Sequence, residues 1–466
     1  MDPISIFDIF SIGVGPSSSH TLGPWRAALH FLELLEDREV EAIQVTLYGS
    51  LSKTGRGHAT DKAVILGLAG YDPLTVDTKR IDEICDDIYS KKVVDIYGKS
   101  VSFDPFKDII FENFEHVKHP NTLKFKALTA RGVLGEEDYT SVGGGFIEVG
   151  TKVQDEDQVV LPFPINEAED LVKYTDDDSL HISDIVAQNE LVFRSHEDVE
   201  LQLDRLIDVM LNSVFEGCRT EGILPGGLNV KRRASSIIRT LTGKDNFQNR
   251  KELFDSIRAS KQDFIHINKF VSCFALAVNE QNASMNRVVT SPTNGAAGVI
   301  PAVLLYFMLF CENNGREDIR RFMYTAGEIG CLFKKRATIS AAVGGCQAEI
   351  GVSASMAAAA LTEVKGGTAL QSMMAAEIAM EHHLGLTCDP MGGLVQVPCI
   401  ERNAMGAIKA ITAANLALMS DAKDAIVKLD EVINTMWQTA LDMNKKYKET
   451  SEAGLALHTP LNVPSC

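Results

Sequence analysis

The chain has 466 residues, 45% of them hydrophobic, with 45 Lys and Arg against 63 Asp and Glu. That length predicts two or three domains, each able to bury its own core. The net charge of -18 excludes the basic surface that nucleic acid demands and argues against an anionic membrane face.

Met1-Asp2-Pro3 opens the sequence without a basic stretch leading into an apolar one, so no secretory signal is expected. Thr21 to Asp37 predicts a helix with Trp25, Ala28, Leu29, Leu32 and Leu35 on one face. Ile43, Val45 and Leu47 alternate with polar residues as in a half-buried strand, and Leu123, Phe125 and Ala127 do the same. Asp61 to Leu68 returns to a helical period. Residues 1–153 therefore predict an α+β domain.

Residues 154–180 turn acidic and lose their pattern (DEDQ, PFP, TDDDS), which predicts a linker. Residues 181–466 are nearly all helical in period, with Leu203, Leu206, Ile207, Met210 and Val214 forming one stripe. Gly295 to Cys311 is the longest apolar run; it is short for a bilayer span and holds Pro301, so a buried helix is expected and no membrane association. Ala337 to Leu361 is packed with Ala, Gly and Ser, which predicts a helix buried on all sides. Gly454, Pro460 and Pro464 make residues 451–466 an extended arm ending at Cys466.

Several short segments carry chemistry. GVGPSSSHTLGP (13–24) sets Ser17, Ser18, Ser19, His20 and Thr21 just before the first helix, where hydroxyls and free amides can hold a carboxylate or phosphate. One serine would suffice for an ordinary cap. TGRGHATD (54–61) puts His58 in a glycine-flanked loop, where an imidazole can act as a general base or stand as a plain loop histidine. SPTNGAAG (291–298) repeats the first idea with Asn294, and reads equally as a capping turn. YGKS (97–100) is no phosphate loop, because position 93 is Val where Gly is needed.

Nine cysteines, odd in number and thinly spread, do not form a disulfide framework; a reduced, cytoplasmic protein is expected. Cys346 follows Gly344-Gly345, Cys388 precedes Asp389-Pro390, and Cys399 follows Pro398. The spacing is wrong for paired zinc ligands. It suits three thiolates brought from separate loops around an iron–sulfur cluster, with one iron left free of a protein ligand. Three unrelated buried cysteines are the plain alternative.

GPSSSHTLGP, TGRGHATDKA, SVGGGF, SPTNGAAG, GGCQAEIG, CDPMGGLVQVPCIERNA and DMNKKYKETSEAGLAL, in this order, resemble the bacterial iron–sulfur-dependent L-serine dehydratases in their single-chain form. The resemblance runs from about residue 5 to the C-terminus. It implies a small allosteric-type α+β domain followed by a larger all-helical, cluster-binding domain. It implies that Cys346, Cys388 and Cys399 hold a 4Fe–4S cluster, and that Cys466 folds back to ligate the fourth iron until substrate displaces it. It further implies that His58 is the base, that Ser17 to Thr21 bind the substrate L-serine, and that the protein is a homodimer. Elimination of water needs a Lewis acid for the hydroxyl, a base for the α-proton, and anchors for the carboxylate; Asn294 would join Ser17 to Thr21 in the last role. Two rivals stand beside this reading. LSKTGRG (51–57) would make Lys53 the Schiff-base lysine of a pyridoxal-phosphate dehydratase, and a bound cluster without turnover would make the protein a sensor.

Overall fold

The computed structural model describes residues 3–36, 38–112, 119–150, 159–175 and 180–458. Two hydrophobic cores organise them. The first lies under an N-terminal sheet. Its strands run in the order Val93–Ile96, Lys99–Ser102, Ala42–Leu47, Thr122–Thr129, Gly132–Gly143, Phe146–Val149, with Ile109–Phe111 also paired to Ala42–Leu47. Ala42–Leu47 alternates between half-buried and buried, so Ile43, Val45 and Leu47 point to one covered face. The helices Gly23–Glu33, Thr60–Leu68 and Ile81–Lys91 cover that face, and Phe31 stacks on Phe125 at 5.1 Å between ring centres.

The second core is helical. Ile350–Val364 runs through its middle, packed by Val299–Phe310, Arg316–Arg336, Ala369–Glu381 and Cys399–Leu418. The Ala, Gly and Ser content of this helix lets four neighbours approach closely, because short side chains bring helix axes together. The chain thus has an N-terminal region of mixed helix and sheet followed by a largely helical one. The N-terminal helix Ile6–Ile9 packs into the helical core through Ile6, Ile9 and Phe10, and the strand Ile12–Val14 pairs antiparallel with Arg287–Val289. The two regions are therefore tied together before the sheet begins.

The structure departs from the sequence pattern in three places. The helix expected over Thr21 to Asp37 is shorter, Gly23–Glu33, and is preceded by one π-helical turn, Ser18–Leu22. The single helix expected over Ala337 to Leu361 is broken: Ala341–Gly344 ends at Gly345, whose φ of +72° no continuing helix can hold, and Ile350–Val364 starts afresh after Cys346. Within the acidic connection, Ala168–Tyr174 is helical, because Glu167 caps it and Leu171 is buried. Gly295 to Cys311 does contain a buried helix, Val299–Phe310. No helix among the described residues is long and apolar enough to cross a membrane.

Candidate functional site

The loop after Ala42–Leu47 and the turn before Gly23–Glu33 bring two imidazoles together. Ser17 caps the turn, its hydroxyl accepting from the His20 amide at 3.1 Å, and residues 18–22 are all buried. His20 Nδ1 lies 2.9 Å from Ser19 Oγ, and its Nε2 lies 3.1 Å from Ser50 Oγ. Ser50 donates its one hydroxyl proton to the Glu449 carbonyl at 2.9 Å. His20 Nε2 must then be the donor to Ser50, and Nδ1 the acceptor from Ser19. His58 Nδ1 sits 2.9 Å from the Thr54 carbonyl and can only donate to it. That leaves His58 Nε2 as a bare lone pair, 3.5 Å from Glu449 Oε1.

The two histidine rings are 4.6 Å apart and tilted by 33°. Two threonines cross-tie their loops: the Thr21 hydroxyl donates to the His58 carbonyl at 2.7 Å, and the Thr60 hydroxyl donates to the His20 carbonyl at 2.6 Å. Burial pulls His58 down to about 4. Burial, then the neighbouring charge of His58, holds His20 well below the usual imidazole range. Both rings are neutral near pH 7.

The thiols come from three loops of the helical region. Sγ of Cys346, Sγ of Cys388 and a carboxylate oxygen of Glu349 all lie within 4.8 Å of one another. Cys399 opens the helix Cys399–Leu418 and feels the charges of Cys346 and Arg402. Arg402, one turn further along that helix, places Nη1 3.3 Å from Cys346 Sγ and donates to the Thr387 carbonyl at 2.7 Å. A hydrogen bond from Cys388, with help from Arg402, holds the Cys346 thiol below the usual range. The same hydrogen bond pushes Cys388 up, and burial pushes Cys399 up. Of the three, only Cys346 is shifted toward the thiolate, beside a fixed cation, and all three cysteines are free and buried. Sulfur donors are soft and suit iron–sulfur chemistry better than a hard cation, so the residues fit the expected cluster.

The histidine and thiol sides meet through the buried carboxyl of Glu449, the half-buried one of Glu349 and one loop. Glu449 lies between the rings, with Oε2 3.7 Å from His20 Nδ1 and without a hydrogen-bond partner. Burial, then the charge of Glu349, pushes Glu449 up; burial raises Glu349 to about 7. Asn294 is fully buried and donates to Asn282 Oδ1 at 3.0 Å, while Asn282 donates to the Pro16 carbonyl at 2.8 Å. This chain reaches the residue next to Ser17 and leaves Asn294 Oδ1 unpaired. Asn403 donates to the carbonyls of Gly295 and Cys399, at 2.7 and 2.9 Å. Gly57 seats the His58 loop on the thiol loop, since a Cβ there would stand 2.6 Å from the Gly393 carbonyl oxygen.

Of the residues singled out from sequence, Ser17, Ser18, Ser19, His20, Thr21 and His58 stand together, and Asn294 joins them through Asn282. Cys346 and Cys388 converge with Glu349, while Cys399 stands outside that close group and is linked to it through the charges of Cys346 and Arg402. Cys466 lies outside the described residues. The backbone of Cys388 meets the histidine site through Glu449, whose amide donates to the Cys388 carbonyl at 2.9 Å and whose side chain faces both rings. Sequence reasoning missed Glu349, Arg402, Asn403 and Glu449. Three of them carried a signal, because Glu349 is three residues after Cys346, and Arg402 and Asn403 are three and four after Cys399, the spacing that shares a helix face. Lys53, the alternative Schiff-base lysine, pairs instead with Glu452 at 3.0 Å at the edge of the site.

The serine dehydratase beta chain family matches residues 5–152, and the serine dehydratase alpha chain family matches residues 177–456. The chain is 44% identical to an L-serine dehydratase of Haemophilus influenzae, over 98% of this chain and 100% of that protein. It is 44% identical to L-serine dehydratase TdcG of Escherichia coli, over 97% and 99% of the two. It is also 44% identical to an L-serine dehydratase of Streptomyces coelicolor, over 98% and 99%.

Proposed function

Because this chain belongs to the serine dehydratase family and carries the beta-chain and alpha-chain units on one polypeptide, we propose that the buried meeting point of its two histidines and three thiols is the active site. The activity is that of an L-serine dehydratase, a lyase releasing pyruvate and ammonia from L-serine. One observation carries the assignment of the site: Glu449 touches both imidazoles with its side chain and the Cys388 carbonyl with its amide. Base and thiol loop are therefore neighbours.

Cys346, Cys388 and Cys399 would hold a 4Fe–4S cluster, with Cys466 as the fourth ligand of the resting enzyme. Bound there, the cluster supplies a Lewis-acidic iron that accepts the negative charge developing on the departing hydroxyl of serine. His58 takes the α-proton on Nε2, the nitrogen that its bond to the Thr54 carbonyl leaves free. Burial costs this base proton affinity, and a substrate carboxylate arriving beside His20 restores part of it, since a nearby anion favours the protonated ring. The turn Ser17 to Thr21, with the free Oδ1 of Asn294 near its start, holds the carboxylate and ammonium ends and fixes the α-carbon against Nε2. Thr21 acts partly by position, because its hydroxyl is spent on the His58 carbonyl. The enamine product tautomerises and hydrolyses in water without further help.

We assign residues 1–153 to the α+β domain, 154–180 to the connection and 181–466 to the helical domain; the two cores support this division from Val14 onward, while Ile6 to Ile12 and the connection's Ile165, Ala168 and Leu171 pack into the helical core. A homodimer is our assignment from the family resemblance, and the exposed apolar residues Met419, Ile426 and Val427 offer a surface for it. Eight free cysteines among the described residues support a reducing, cytoplasmic setting. The test is anaerobic purification with assay of iron, sulfide and pyruvate formation from L-serine. Pyridoxal phosphate in place of iron, or iron without turnover, would overturn the mechanism.

A further inference from the structure

Asp389 follows the thiol residue Cys388 and is buried. Its Oδ1 accepts from Arg402 Nη2 at 2.9 Å, and its Oδ2 accepts from the Leu455 amide at 2.7 Å. The other nitrogen of that guanidinium touches Cys346 Sγ. A single carboxylate therefore joins a sulfur-facing cation to the C-terminal segment of the chain. The same segment grips the thiol loop elsewhere: the Cys388 amide donates to the Tyr447 carbonyl at 2.8 Å, the Glu449 amide to the Cys388 carbonyl at 2.9 Å, and the Ser451 hydroxyl to the Pro390 carbonyl at 2.7 Å. Gly454 makes the closest approach. It has a φ of +65°, and a Cβ on it would stand 2.3 Å from Asp389 Oδ2.

We propose that Asp389 is a positioning residue that latches residues 447–455 to the thiol loop, so that seating the end of the chain and retaining the thiol-bound cluster are one event. The inference rests on the cofactor reading above and adds a residue to it. The bridge needs two acceptor oxygens. An amide has only one, and its NH2 would face either the Arg402 or the Leu455 donor, so Asp389→Asn can serve one side of the latch but not both. Gly454→Ala attacks the latch from the C-terminal segment, because an added methyl meets the Asp389 carboxylate and the backbone conformation disfavours any L side chain.

The test compares unmodified protein, Asp389→Asn and Gly454→Ala after anaerobic reconstitution. It measures the rate of iron and sulfide loss in air with a chelator present, and the rate of tryptic cleavage at Lys445 to Lys448. Both variants should lose iron about tenfold faster and be cut faster, tenfold being about 1.4 kcal/mol of docking. Unchanged rates in both would overturn the latch. A response in Asp389→Asn alone would also overturn it, since Asp389 would then act only on Arg402. Should the unmodified protein hold no iron and sulfide, the cofactor reading fails instead, and cleavage of the metal-free proteins still decides the latch.

Discussion

His58 shows how one carbonyl can assign a chemical role. The Thr54 oxygen fixes the proton on Nδ1 and burial brings the ring to about 4, so Nε2 stays available across the neutral range. A base works in its neutral form, so activity should be lost as pH falls through about 4 and should not follow the ordinary imidazole value near 6.5. The profile of kcat/KM against pH reads this directly, because it reports groups of the free enzyme. His58→Gln should lower kcat/KM by about 10²–10⁴-fold while iron and sulfide content stays at the unmodified level. A His58→Gln enzyme with near-normal turnover would transfer the α-proton to another group. Glu449, between the two rings, would be the first to test.

The helices and strands were legible where a period was long and undisturbed. Ile43, Val45 and Leu47 alternate because one face of their strand is covered, and the stripe from Leu203 to Val214 follows the helix His196–Arg219. The pattern failed at the site itself. Ser18–Leu22 winds more widely than an α-helix, and Gly345 interrupts an apolar stretch that otherwise reads as continuous. These irregular turns aim the imidazole and the thiol inward, and periodicity cannot report a turn that obeys no period. Glu449 was invisible for another reason: it is far from His20 and His58 in sequence, and no local spacing links them. Close helix contacts give a test at this scale. Gly217 on the helix His196–Arg219 meets the helix Phe264–Asn282 backbone to backbone, and a Cβ there would lie 2.3 Å from the Ala277 carbonyl oxygen. Gly217→Ala gains up to about 1 kcal/mol of helix propensity. Forcing two backbones apart costs about 1–3 kcal/mol, so the variant should be less stable, seen as a lower urea midpoint with an unchanged slope.

At the scale of the whole chain, buried ionisable groups set how stability follows pH. Burial lowers His58 and His383 to about 4 each. Such groups stabilise the fold above the unfolded value near 6.5, and that contribution is lost as pH falls toward 4. Burial raises Glu328 to about 7, and burial with the like charge of Glu381 raises Glu377 to about 7. These carboxyls stabilise the fold below their unfolded value near 4.5, and that contribution is lost as pH rises through 7. Between about 4.5 and 6.5 the two sets oppose each other; above 6.5 the histidines have nothing more to add while the glutamates still ionise. The net charge of -18 adds self-repulsion of the same sign on the alkaline side. Stability should therefore peak between about pH 5 and 6.5 and fall toward pH 8. Glu377→Gln separates the causes, because an amide keeps the shape and cannot ionise beside Glu381. Its advantage over the unmodified protein should be about 1–3 kcal/mol larger at pH 8 than at pH 5, measured by urea denaturation at the two values. An equal difference between the two proteins at both values would mean that Glu377 ionises in the fold at no cost, and would leave net charge as the source of any alkaline decline.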